Sequence, residues 1–237
     1  MSPAWSWLTE FGNSKWLLPS AALLIFFSLR ARTLRWPAAL RWGTAIAVTA
    51  AVVLASKLAF MGWGIGSATL DFTGFSGHAA MSACIYPPLM VLLGSSLKKL
   101  SRGTWASLGL LFAAAIAFSR LPLHAHSVSE VVAGFALGSA ASLYTLYNWT
   151  PSSRAVLLLR WLAPAALVIA TLQSATPNVS THDMVQRTAK VLSGRDKLYT
   201  RKWLHQRSEV STQSVAEVVD NEKNSGQSLE ANFSLMD

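Results

Sequence analysis

Six apolar stretches, each bounded by charged or Gly/Pro-rich breaks, run along the chain at 13–29, 43–61, 78–97, 104–119, 127–148 and 155–173. A bilayer-crossing helix needs about 20 largely apolar residues, with a lower limit near 17. The pattern predicts an all-α, polytopic integral membrane bundle of about six transmembrane helices, occupying residues 1–175. The first run is the weakest, because Pro19 interrupts it. It does not read as a cleaved signal peptide, since no basic region precedes it and Arg30 and Arg32 follow it.

Beyond the last run the pattern changes. Residues 176–205 read as a basic amphipathic extramembrane segment. Within it, "TPNVSTHDMVQRTAKVLSG" predicts a short helix that Thr181 or Asp183 caps and Gly194 ends, with Val185, Ala189 and Leu192 on one face. That face suits either a membrane surface or the side of the bundle. Residues 206–237, rich in Ser, Gln, Asn and Glu, predict a disordered polar tail.

Composition sharpens this picture. The chain is 52% hydrophobic and 13% charged, whereas a soluble domain carries roughly 25% charged residues. Only Glu10, Asp71 and Glu130 are acidic before residue 173, so the net charge of +9 reads as a topology signal. Nucleic acid is not an expected partner, because no basic cluster interleaves with aromatics. The single Cys84 excludes an intrachain disulfide and a Cys-based zinc site, and it reads as a small buried side chain.

Lys and Arg in short loops set orientation. The connection 30–42 carries Arg30, Arg32, Arg35 and Arg41; 98–103 carries Lys98, Lys99 and Arg102; 149–154 carries Arg154. The alternate loops differ, since 62–77 has no Lys or Arg and 120–126 has only Arg120. The basic set is expected on the cytoplasmic side and the neutral set outside. The same alternation puts both termini outside, although 187–207 holds seven Lys/Arg against Asp196.

Ionisable groups near membrane depth are costly and point to function. The outward helix ends hold Lys57, Ser76, His78, Arg120, His124, His126 and Glu130. This set suits a phosphate: Arg offers a planar fork of donors, Lys a point charge, and a helix start at Gly77–His78 free N–H groups. His126 and Glu130 are four apart and share a helical face. A carboxylate on one ring nitrogen fixes the tautomer and leaves the other nitrogen free to attack.

These residues resemble the type 2 phosphatidic acid phosphatases and the related vanadium haloperoxidases and acid phosphatases, which carry K-x6-RP, PSGH and SR-x5-H-x3-D. The chain offers Lys57, then "FSGH" at 75–78, then "SRLPLHAH" with Glu130, and the resemblance covers about 57–145. It implies that His126 is a nucleophile forming a phosphohistidine and that His78 is the general acid and base. It further implies that Glu130 orients His126, that Lys57, Ser76, Gly77 and Arg120 hold the phosphoryl oxygens, and that no metal or other cofactor is needed. Three departures stand out: Gly64 and Ile65 replace Arg-Pro, Phe75 replaces Pro, and Glu130 replaces Asp. One phosphate cation is therefore missing unless Arg195 or Arg201 in the tail supplies it.

Plainer readings accompany these roles. Lys57 also fits a lysine snorkelling at a span end. Glu130 also fits a capping box with Ser127, and Ser76 and His78 fit a helix cap. His124 is either a rim residue or a substrate contact. Asp71 reads as a solvated turn or cap residue, and "GWGIGS" at 62–67 as a tight outward loop; His182 and His205 lie in the tail, away from the motifs.

The expected function is a membrane lipid phosphate phosphatase acting on a phosphomonoester or diphosphate of a lipid at the outer face of the cytoplasmic (inner) membrane. Its partners would be the lipid substrate and membrane lipids. The alternatives are a lipid phosphotransferase with the same site and a non-catalytic binder of anionic headgroups.

Overall fold

The computed structural model of the protein describes residues 3–94, 100–149, 181–210 and 213. Its elements are helical: α1 (Pro3–Glu10), α2 (Ser14–Arg30), α3 (Trp36–Trp63), α4 (Gly77–Gly94), α5 (Arg102–Ser119), α6 (Val128–Leu146) and α7 (Thr181–Ser193). A last helical stretch occupies 201–210. The apolar run 155–173 lies outside the described residues, as do Lys98, Lys99 and Arg154 of the basic connections.

Helices α3, α4 and α5 are long and apolar enough to cross a membrane. Helix α2, with 17 residues, and α6, with 19, coincide with two further apolar runs and pack in the same bundle. Pro19 sits inside α2 without ending it. Helix α3 begins at Trp36, ahead of the expected 43, with Pro37 in its first turn. A proline there has its φ preset for a helix, and its missing N–H would have had no partner anyway.

The axis of the bundle is α4, which is 72% buried along its span, against 28% for α3 and for α5. Missing side chains make this possible. A Cβ on Gly109 of α5 would stand 2.6 Å from the Tyr86 carbonyl oxygen, and one on Gly134 of α6 would stand 2.7 Å from that of Ser76. A Cβ on Gly138 would overlap the Ala80 carbonyl. Small residues spaced four apart let two backbones close to contact where a larger residue would hold them apart. Cys84 is fully buried in this core, as expected. Outward-turned Leu111, Phe118, Val132 and Leu143 are exposed, as suits helices bathed in hydrocarbon.

Helix α7 lies against α3. Val185 and Ala189 are buried there, and a Cβ on Gly62 would meet Ser193 at 3.2 Å. Leu192, on the same side of the helix as Val185, is 59% exposed, so the neighbouring α3 covers only part of that face. Gly194, with φ of +64°, ends the helix as expected. Residues 206–210 of the polar tail expected from 206 are helical, and the rest of that tail, apart from residue 213, lies outside the described residues. Leu204 is buried, and Arg201 and His205 bond to Asp71, which gives this stretch the packing that its composition alone does not promise.

Candidate active site

The loop from α3 to α4 starts at Gly64, a left-handed C-cap with φ of +70°. A single bridge between Ser67 and Phe72 closes the turn that contains Asp71. Gly74, with φ of +142°, passes so near α3 that a Cβ would meet Lys57 Cγ at 3.2 Å. The Phe75 N–H then donates to Ser56 Oγ at 3.1 Å, a bond that a proline at this position could not make. Phenylalanine for proline thus exchanges ring rigidity for a hydrogen bond to α3. The Ser76 N–H donates to the Glu130 carbonyl at 3.1 Å, which ties the two motifs together just before α4 begins.

On the other side, α5 ends at Ser119, and the turn 120–126 is closed by the Ala125 N–H on the Arg120 carbonyl at 3.1 Å. Ser127 caps α6, its Oγ accepting from the Glu130 N–H while Glu130 Oε2 accepts from the Ser127 N–H, both at 3.3 Å. That same Oε2 lies 2.7 Å from His126 Nδ1. The other oxygen, Oε1, accepts from the Thr73 N–H at 2.8 Å and its hydroxyl at 2.5 Å, and lies 2.8 Å from Arg201 Nη2. Glu130 is therefore both the capping-box residue and the partner of His126, and its extra methylene is absorbed without losing contact. A buried carboxylate with every oxygen occupied cannot swing away from its imidazole.

A cavity of about 920 Å³ opens among α2, α3, the loop before α4, the start of α4, the α5–α6 turn, α7 and the C-terminal segment. Its lining includes Lys57, His78, Arg120, His126 and Arg201 together with the apolar Leu18, Val53, Leu54, Phe60, Met81 and Val185. Ser76 and Glu130 are fully buried beside the cavity, outside its lining. His124 is exposed on the turn and does not line the cavity. Ser76 Oγ and Arg120 Nε are buried without a hydrogen-bond partner among the described residues, so two donors next to the cavity are uncommitted. No group of three or more His, Cys, Asp or Glu side chains gathers among the described residues as a metal site.

Burial is the main cause that holds the His126 pKa below its ordinary 6.5, with the hydrogen bond to Glu130 opposing and the Lys57 and Arg120 charges reinforcing it. The ring is thus neutral at neutral pH. With Nδ1 turned to the carboxylate, Nε2 keeps its lone pair.

Several residues of this site carried no signal in the sequence. Arg120 Nη1 donates to Thr9 Oγ1 at 2.6 Å, and a Cβ on Gly12 would meet His78 Cδ2 at 3.2 Å. The N-terminal segment therefore buttresses both. Asp71, expected to be a solvated turn residue, instead pairs with Arg201 Nη1 at 2.5 Å and His205 Nε2 at 2.8 Å. Its partners lie 130 and 134 residues away in sequence, too far for any local pattern to reveal.

The profile of the PAP2 superfamily matches residues 60–155. A Klebsiella pneumoniae protein described as "Uncharacterized 22.5 kDa protein in cps region" is 39% identical over 211 residues, covering 86% of this chain and 99% of that protein. No solved structure matches.

Proposed function

Because the chain belongs to the PAP2 superfamily, a family of phosphatases, we propose that it hydrolyses the phosphate ester or diphosphate of a lipid through a phosphohistidine on His126. The observation that carries this reading is the His126–Glu130 pair, 2.7 Å apart, beside a cavity lined by both cationic and apolar side chains. A lipid phosphate has the same two-part character.

In the first step His126 Nε2 attacks phosphorus, the bond to the leaving oxygen breaks, and His78 gives that oxygen a proton. Lys57, Arg120 and the N–H groups at the start of α4 hold the remaining oxygens as negative charge spreads over them. The uncommitted Ser76 Oγ and Arg120 Nε suit the same task. In the second step His78 takes a proton from water, the water oxygen attacks phosphorus, and the P–N bond breaks to release orthophosphate. The nucleophilic route divides one difficult displacement into two easier ones. Glu130 keeps the tautomer correct throughout.

The basic stretch 30–42 covers the last residue of α2, the connection and the first turns of α3, at the ends of both helices remote from the site, which supports a cytoplasmic placement for that end and an extracytoplasmic one for the cavity. The proposed location is the cytoplasmic (inner) membrane. The test is phosphate release in detergent across a panel of lipid monophosphates and diphosphates. Release by the wild type, abolished in His126→Ala and inhibited by vanadate, supports hydrolysis; release by His126→Ala at the wild-type rate removes the reading. Transfer to an added alcohol in place of water would make the protein a phosphotransferase.

A further inference from the structure

Gly64 stands where the family resemblance calls for an arginine, and the space beside it is taken by rings from the C-terminal segment. A Cβ on Gly64 would meet Trp203 Cη2 at 3.0 Å and Tyr199 Cδ1 at 3.3 Å. The Tyr199 N–H also donates to the Met61 carbonyl at 2.9 Å. Between these two rings in sequence stands Arg201, whose guanidinium lines the cavity and bridges Asp71 Oδ2 at 2.5 Å to Glu130 Oε1 at 2.8 Å. His205 holds the other Asp71 oxygen.

We propose that Arg201 is a positioning residue of the catalytic centre that holds the Glu130 carboxylate against His126, with Asp71 as the latch that keeps Arg201 in place. The planar fork of an arginine spans two carboxylates at once, which a lysine ammonium cannot do with the same geometry. The inference rests on the phosphatase reading for its consequence on rate, but not for its consequence on His126.

That second consequence has a definite sign. The groups facing His126 are Glu130 on α6, Lys57 on α3, His78 on α4, Arg120 after α5, and Arg201 through Glu130. With Glu130 still held by Thr73 and the Ser127 N–H, removing Arg201 leaves its charge less compensated, so protonated His126 is favoured and its titration midpoint rises. A role for Arg201 in fold stability alone, without its ion pair to Glu130, would not produce that shift.

The experiment uses the full-length protein in detergent, as wild type, Arg201→Ala, Arg201→Lys and Lys202→Ala. The readouts are kcat and KM for phosphate release and the His126 titration, followed by NMR on histidine-labelled protein. Arg201→Ala is expected to lower kcat by about 10- to 100-fold, as small misplacements of catalytic groups do, with KM changed less. Its His126 midpoint is expected to rise. Arg201→Lys should restore the midpoint but not the full rate, and Lys202→Ala should match the wild type. A wild-type kcat together with a wild-type midpoint in Arg201→Ala overturns the proposal. If Arg201→Ala fails to fold, a full wild-type rate in Arg201→Lys overturns it instead. A wild type that releases no phosphate from any lipid removes the phosphatase reading, while the His126 titration still decides the role of Arg201.

Discussion

The two sides of the cavity are built by different physics. The inner side is the start of α4, backed by its seam with α5 and α6, where Gly109, Gly134 and Gly138 let backbones meet and where the two histidine motifs are joined by the Ser76–Glu130 hydrogen bond. The outer side is α7 with segment 199–205, held on α3 by the small apolar contacts of Val185 and Ala189 and by ion pairs among Asp71, Arg201 and His205. Close packing tolerates almost no change of volume. Half-exposed ion pairs contribute little energy each and yield readily. His78 and His126 sit on the close-packed side, and Arg201 sits on the ion-paired one.

Four substitutions or conditions probe that contrast. Replacing the nucleophile has the largest effect: His126→Ala should lower kcat by about 10⁴-fold or more while the protein still folds, as checked by phosphate release and a thermal transition in detergent. Next comes pH. Neutral His126 is the attacking form and its pKa is depressed from 6.5, so kcat/KM should hold below pH 6.5. It should then fall roughly tenfold per pH unit once the ring protonates. A pH profile whose acid limb lies above 6.5 would contradict the buried placement of the ring.

The third probe strikes the seam. Gly134→Val sets side-chain carbon against the Ser76 carbonyl, so it should destabilise the bundle by about 1–3 kcal/mol and reduce activity along with it. Thermal midpoints and rates measured on the same samples check this. The smallest effect is expected on the outer wall. Asp71→Asn removes the charge that binds Arg201 and His205, each pair worth about 0.2–1 kcal/mol, so activity should drop a few-fold and the thermal midpoint stay nearly unchanged. Should Asp71→Asn unfold the protein while Gly134→Val is harmless, the division into a rigid and a compliant side is wrong.

The histidine site was legible because its signals are local. His126 and Glu130 are four apart, Ser127 and Glu130 three apart, and Ser76-Gly77-His78 contiguous, and each spacing has one meaning once a helix starts there. The apolar runs were legible for the same reason. Leu192 shares a side of α7 with Val185 yet stays exposed, because periodicity marks a face and not how much of it a neighbour covers. Asp71 was misread because an ion pair needs only two side chains and leaves no periodic trace between them.

By itself, then, the sequence determined that the chain forms apolar helices, that its two histidine motifs open and close helices on one side of the bundle, and that position 64 lacks a cation. These follow from hydropathy, helical spacing and residue identity, all of which act over short stretches of chain. Only the tertiary structure decided that α4 is the axis, that Thr9 and Gly12 brace Arg120 and His78, and that Arg201 reaches Glu130 from the C-terminal segment. Those depend on where distant backbones come to rest, which is settled by packing and charge acting through space.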